Sequence, residues 1–226
     1  MHKFSKQKII LLIKKLKIAT KHFTPTLIET IIQKFGKNPF LILIATILSL
    51  RSKDKVTLKV AQNLFKEATT PSQISSLPLK KLEAILFNIG FYKTKAKTIK
   101  EVAKKLEDKY KNSVPTTYKE LIKIKGIGPK TANLVLSAAF NKKTICVDTH
   151  VHRISNRIGL IKTKNVEQTE LALKKIIPPQ YWSSWNTLLV KWGQNICLPR
   201  HPKCYKCFLA KEKLCLYFLT KNKKHI

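Results

Sequence analysis

The sequence predicts an all-α protein, and three observations carry that prediction. Apolar residues recur at helical spacing almost throughout, and strand-like alternation is nearly absent. Proline and glycine fall at intervals that suit short connections between helices of roughly ten to fifteen residues.

From the N-terminus, Ile9 to Ile13 form a short apolar patch followed by Lys14, Lys15 and Lys17. No small-residue cleavage site follows it, which argues against a secretory signal and for an intracellular protein. Thr24-Pro25 opens a segment in which Leu27, Ile28, Ile31 and Ile32 share one helical face. The longest apolar run, Phe40 to Leu48 with Ala45 and Thr46 inside it, is about half the ~20 residues that a membrane span requires. It reads as a buried helix, and no membrane association is expected. Pro71, Pro78 and Gly90 punctuate the next stretch, Val102 and Leu106 resume the helical pattern, and Pro115 closes it. A Gly126-Ile127-Gly128 turn then separates two apolar helical segments, the second running through Leu134, Val135 and Ala138. Leu171, Leu173 and Ile176 form the last periodic group before Pro178-Pro179, and Lys221 to Ile226 is a polar tail expected to fray. There is no repeat of fixed period.

At 226 residues the chain is long enough for one larger domain or two lobes sharing a groove, without disulfides. It carries 45 Lys and Arg against 12 Asp and Glu, a formal charge of +33. A polyanion is the natural partner, although many of these lysines serve only as solvated surface.

The segment Leu121 to Ala132 reads as a helix, a two-glycine hairpin and a second helix. Gly126 and Gly128 lack Cβ atoms, so the backbone there can approach a ligand, and successive amides at a helix N-terminus favour an anion such as phosphate. Pro129 suits the first helical turn. Lys130 follows it, where the positive end of the helix dipole and the surrounding lysines disfavour the protonated amine. An amine so tuned is a nucleophile. Downstream, Asp148-Thr149 resembles a helix N-cap, which gives Asp148 either a capping role or a role in assisting Lys130. Asp148 lies eighteen positions after Lys130, enough for the chain to turn back and bring both to one groove.

Cys197, Cys204, Cys207 and Cys215 are spaced C-x6-C-x2-C-x7-C. Four thiolates in one compact loop suit either a [4Fe–4S] cluster or zinc, and the single Cys-x-x-Cys pair favours the cluster. Arg200 and Lys203 lie on the loop between Cys197 and Cys204, where a tied backbone presents them to phosphates. Cys146, between Ile145 and Val147, reads as a small buried apolar residue. His150 and His152 are not spaced as metal ligands alongside the distant cysteines.

The hairpin Lys125 to Ala132 and the Val147-Asp148-Thr149-His150 segment resemble those of the endonuclease III family, the helix-hairpin-helix DNA glycosylase/lyases. The stretches Ile47 to Asp54 and Gly90 to Ala96 resemble that family's two DNA-facing junctions, so the likeness covers nearly the whole chain. It implies a six-helix barrel over residues 32–142 and an iron–sulfur lobe from residues 1–31 and 143–226, with DNA between them. It also implies that Lys130 attacks C1′ of a damaged nucleotide with Asp148 assisting, and that the four cysteines hold a [4Fe–4S] cluster. The hairpin residues Gly126, Ile127 and Gly128, with Arg200 and Lys203, become DNA contacts, and Arg51 and Phe91 become the wedges that fill the space of an extruded base. The family more often has glutamine and leucine at those two wedge positions, and five residues where this chain has seven between its last two cysteines.

The implied partner is double-stranded DNA containing damaged bases, oxidised pyrimidines above all, or abasic sites. The implied enzyme is a monomer, cytoplasmic and nucleoid-associated in a prokaryote. An adenine glycosylase of the same superfamily is disfavoured by Lys130 and by the chain ending soon after the cysteines. A noncatalytic metal-stabilised DNA-binding protein would leave Asp148 unexplained.

Overall fold

A computed structural model of the chain describes residues 4–222. Among these residues every regular element is helical: α1 (Lys6–Ala19), α2 (Leu27–Phe35), α3 (Pro39–Ser49), α4 (Asp54–Glu67), α5 (Pro71–Ser76), α6 (Leu79–Leu86), α7 (Tyr92–Tyr110), α8 (Tyr118–Ile122), α9 (Pro129–Phe140), α10 (Thr149–Arg157), α11 (Val166–Ile176), α12 (Trp182–Asn195), α13 (Phe208–Lys211) and α14 (Leu216–Asn222). The contacts divide the chain into two compact units, Pro25–Lys142 and the pair of segments Met1–Thr24 and Lys143–Ile226.

The unit Pro25–Lys142 is built around α3. Asn38 caps this helix by accepting from the amides of Phe40 and Leu41, Pro39 occupies its first turn, and every residue from Phe40 to Leu48 is buried. α2, α4, α7 and α9 pack on it, which explains an apolar run with no polar face. Thr46, the polar exception, donates its hydroxyl to the Ile42 carbonyl at 2.7 Å. The whole of α2, opened by a Thr26–Glu29 capping box, belongs to this unit, since Leu27 and Ile31 are part of its core. A boundary between residues 31 and 32 therefore falls inside a helix, and the division lies at Thr24–Pro25.

In the other unit, the apolar patch near the N-terminus is the inner face of α1, with Ile9, Leu12, Ile13 and Leu16 buried beside Trp185, Leu189 and Trp192. α12 packs against α1 and α10. In α11 Leu173 is buried, whereas Leu171 is 63% exposed on the opposite face. Of the polar tail, Lys221 and Asn222 end α14, and residues 223–226 lie outside the described residues. Among the described residues no helix is long and apolar enough to cross a membrane.

Candidate active site and cysteine pocket

The two glycines of the hairpin serve different purposes. α8 ends at Ile122, and the turn is closed by the amide of Ile124 donating to the Leu121 carbonyl and that of Ile127 to the Ile124 carbonyl. Gly126 adopts φ +97°, and a Cβ there would lie 2.5 Å from Thr98 Cγ2 on α7. The fold itself thus requires a glycine at 126, a demand that the sequence reading assigned to ligand approach. Gly128 has a negative φ, with nothing within 4 Å of a built Cβ, so the space beside its backbone is open to a ligand. Ile127, singled out with them, buries its side chain in the core and can offer a ligand only its main chain.

Gly128 starts α9 without a side-chain cap, and Pro129 fills the first turn, so the helix presents the positive end of its dipole uncapped by any side chain. Behind that end, Thr131, Ala132, Val135 and Leu136 are buried, and α9 packs on α3 and α8. Lys130 therefore projects, exposed, from the first turn of a helix whose position is set by packing.

Asp148 stands in the other unit. Ile145, Cys146 and Val147 lead into it as a buried stretch, and Asn186 Nδ2 donates to the Cys146 carbonyl at 3.1 Å. Asp148 is the N-cap of α10, its Oδ1 accepting from the Val151 amide at 2.8 Å. The cap orients a half-buried carboxylate at a helix N-terminus, where its negative charge is favoured, so capping and a chemical role are compatible. His150 lies against Gly193, where a Cβ would meet its Nδ1 at 2.2 Å, and Arg153 Nη2 is 3.1 Å from that nitrogen. His152 is paired instead with Thr169 Oγ1, at 2.7 Å.

Arg153 and Arg157, one turn apart on α10, fasten the cysteine loop, a role that nothing in the sequence marked. Arg153 donates to the Cys197 carbonyl at 2.9 Å, and Arg157 to the carbonyls of Leu198 and Pro199 at 2.7 and 2.8 Å. An arginine pair at i, i+4 shares a helix face, but only the fold brings that face to the loop.

Cys197, Cys204, Cys207 and Cys215 line one pocket that opens to solvent, together with Arg157, Lys203 and Tyr217. Arg157 Nη1 lies 3.6 Å from Cys197 Sγ, and its guanidinium lies over the Tyr217 ring at 4.7 Å. Burial pushes the thiols of Cys204 and Cys207 up, and that of Cys215 up to about 11, with the neighbouring cysteines adding to each shift. Among the described residues no three His, Cys, Asp or Glu side chains are gathered closely enough to hold a single metal ion. Arg200 is exposed on this loop, whereas Lys203 is half-buried at the cavity wall.

Arg51 and Phe91, distant in sequence, are brought together within the unit Pro25–Lys142. Both adopt left-handed backbone conformations, φ 54° and 61°, and both are exposed, Phe91 to 61%. The Arg51 guanidinium lies 5.6 Å from the centre of the Phe91 ring. An exposed aromatic residue held at positive φ departs from ordinary packing.

Comparison with known proteins places these features in context. Residues 44–179 match the HhH-GPD superfamily of base excision DNA repair proteins. Endonuclease III of Thermotoga maritima is 39% identical over 205 residues, covering 88% of this chain and 95% of that protein. A solved non-covalent endonuclease III–DNA complex superposes with a TM-score of 0.85 at 34% identity, covering 97% of this chain and 99% of that one. A trapped endonuclease III–DNA covalent intermediate superposes with a TM-score of 0.84, also at 34% identity, covering 96% and 98%.

Proposed function

The chain belongs to the endonuclease III family within the HhH-GPD superfamily, and from that premise we propose that Lys130 is its nucleophile and Asp148 the carboxylate that assists it. The protein is a bifunctional DNA glycosylase and AP lyase of base excision repair. The observation that carries the residue assignment is the hairpin itself: Lys130 is exposed one residue beyond Pro129, on a packed helix whose N-terminus no side chain caps.

The neutral Lys130 amine attacks C1′ and expels the base with its bonding electrons, and the sugar ring opens to a Schiff base. Conjugation to that imine acidifies the C2′ hydrogen. Its removal as a proton expels the 3′ phosphate and breaks the strand on that side. Asp148, held by its bond to the Val151 amide, activates the amine or offsets the positive charge that develops as the base leaves. Gly128 and the N-terminus of α9 grip a phosphate, and Arg51 and Phe91 fill the space of the extruded base. The substrates are duplexes with oxidised pyrimidines or abasic sites.

Cys197, Cys204, Cys207 and Cys215 are assigned as ligands of a [4Fe–4S] cluster. A four-iron cluster takes one thiolate at each iron, so cysteines ringing a cavity suit it better than they suit one tetrahedral zinc. Arg157 and Lys203 at the wall supply positive charge beside the thiolates. Bound there, the cluster supplies a rigid tie for the loop that presents Arg200. The lobe it organises is the unit of Met1–Thr24 and Lys143–Ile226, and the helix-hairpin-helix lobe is Pro25–Lys142.

The test is strand scission on duplexes carrying thymine glycol or an abasic site. Wild type is expected to cleave both, and Lys130→Ala to lose on the order of a thousandfold or more. DNA binding without cleavage in wild type would instead favour a noncatalytic binder.

A further inference from the structure

The loops that carry Arg51 and Phe91 meet over a buried lysine. Lys95, on the first turn of α7, is 6% exposed. Its Nζ donates to the Leu48 carbonyl in the last turn of α3 and to Ser52 Oγ, both at 2.8 Å. Its backbone amide donates to the Phe91 carbonyl at 2.9 Å. One residue thus grips the chain on both sides of Arg51 and closes the turn that begins at Phe91. Gly90 lies beside the same segment, since a Cβ there would stand in ordinary van der Waals contact, 3.4 Å, with the Arg51 carbonyl oxygen.

Left-handed backbone at a non-glycine residue is unfavourable and persists where the surroundings over-determine it. Here two such residues face each other, and Lys95 holds both. Its position is itself unfavourable for an ammonium, and burial holds the amine down to about 8. A leucine or methionine would fill the same space without that penalty, but would leave the Leu48 carbonyl at the end of α3 unpaired.

We propose that Lys95 is a positioning residue that locks the Arg51 and Phe91 loops into one two-pronged wedge, so that base extrusion depends on it more than strand cleavage does. The proposal rests on the glycosylase reading above. Side chains that replace an extruded base must be presented together and in register, whereas a site that has already lost its base needs less help in opening.

Lys95→Met and Ser52→Ala test it against wild type, with each protein's melting temperature measured alongside. Two rates are compared: scission at thymine glycol paired with adenine, and scission at a preformed abasic site. The fluorescence of a 2-aminopurine placed beside the lesion reports unstacking on binding. Lys95→Met is expected to slow scission at thymine glycol about tenfold or more and scission at the abasic site by no more than about threefold, with a smaller fluorescence rise. Ser52→Ala, which keeps the lysine and one acceptor, is expected to shift the same ratio in the same direction by about two- to threefold. Equal losses on both duplexes in both variants, or no loss in either, would overturn the proposal and leave Lys95 as a helix cap. A wild type that cleaves neither duplex would overturn the parent reading first, and this one with it.

Discussion

The two units hold their candidate catalytic groups by different means. In Pro25–Lys142 the turn that carries Lys130 rests on apolar packing: α3 is buried on all sides, and α9 packs directly on it. In the unit of Met1–Thr24 and Lys143–Ile226, the helix that starts at Asp148 is joined to the cysteine loop through Arg153 and Arg157, which bond three successive carbonyls there. Both units bury hydrocarbon, which needs no ligand. In the second, the Asp148 helix and the cysteine loop also share a polar network that borders the cysteine-lined pocket. The contrast teaches that whatever fastens the cysteine loop also bears on the helix capped by Asp148, through the carbonyls that Arg153 and Arg157 hold.

Removal of the cluster should produce the largest difference between the units. Cys215→Ser is expected to lose most of the iron, about four atoms per chain in wild type, and with it the amide-exchange protection of α10 and α12, while α3 and α9 keep theirs. Iron analysis with hydrogen-exchange mass spectrometry reads both. Equal loss of protection in the two units would erase the distinction. The converse change, Ile44→Ala in α3, should cost about 2–5 kcal/mol in denaturant unfolding and leave iron content unchanged.

A smaller effect separates the hairpin glycines. Gly126→Ala must accommodate both a positive φ and the contact with Thr98, and is expected to destabilise by about 1–3 kcal/mol. Gly128→Ala should lie within about 0.5 kcal/mol of wild type in stability, yet weaken binding to abasic DNA, which fluorescence anisotropy measures. If both variants unfold alike and bind alike, the two positions are equivalent after all. Smallest of all, the exposed Lys81–Glu67 pair should contribute less than about 1 kcal/mol in a double-mutant cycle.

Much of this arrangement was legible in the sequence, and the limits have physical causes. Phe40 to Leu48 announced a buried helix because no polar residue but Thr46 interrupts it, and the Gly-Ile-Gly-Pro-Lys order announced a hairpin and a helix start. Leu171 shows that helical spacing identifies a helix without saying which of its apolar residues are covered. Sequence alone points Gly126 to ligand approach because the atom it avoids, Thr98 Cγ2, is 28 residues away. Nothing in a chain with 45 Lys and Arg marks out Arg153, Arg157 and Lys95, since only tertiary contacts distinguish a fastening cation from a solvated one.

The same abundance of lysine makes one measurement decisive. Borohydride reduction should trap the protein covalently on abasic DNA, and proteolysis with mass spectrometry then identifies the residue that carries the sugar remnant. The account predicts a single modified peptide containing Lys130, and no adduct with Lys130→Ala. An adduct of undiminished yield on another lysine or on the N-terminal amine would contradict the assignment of Lys130.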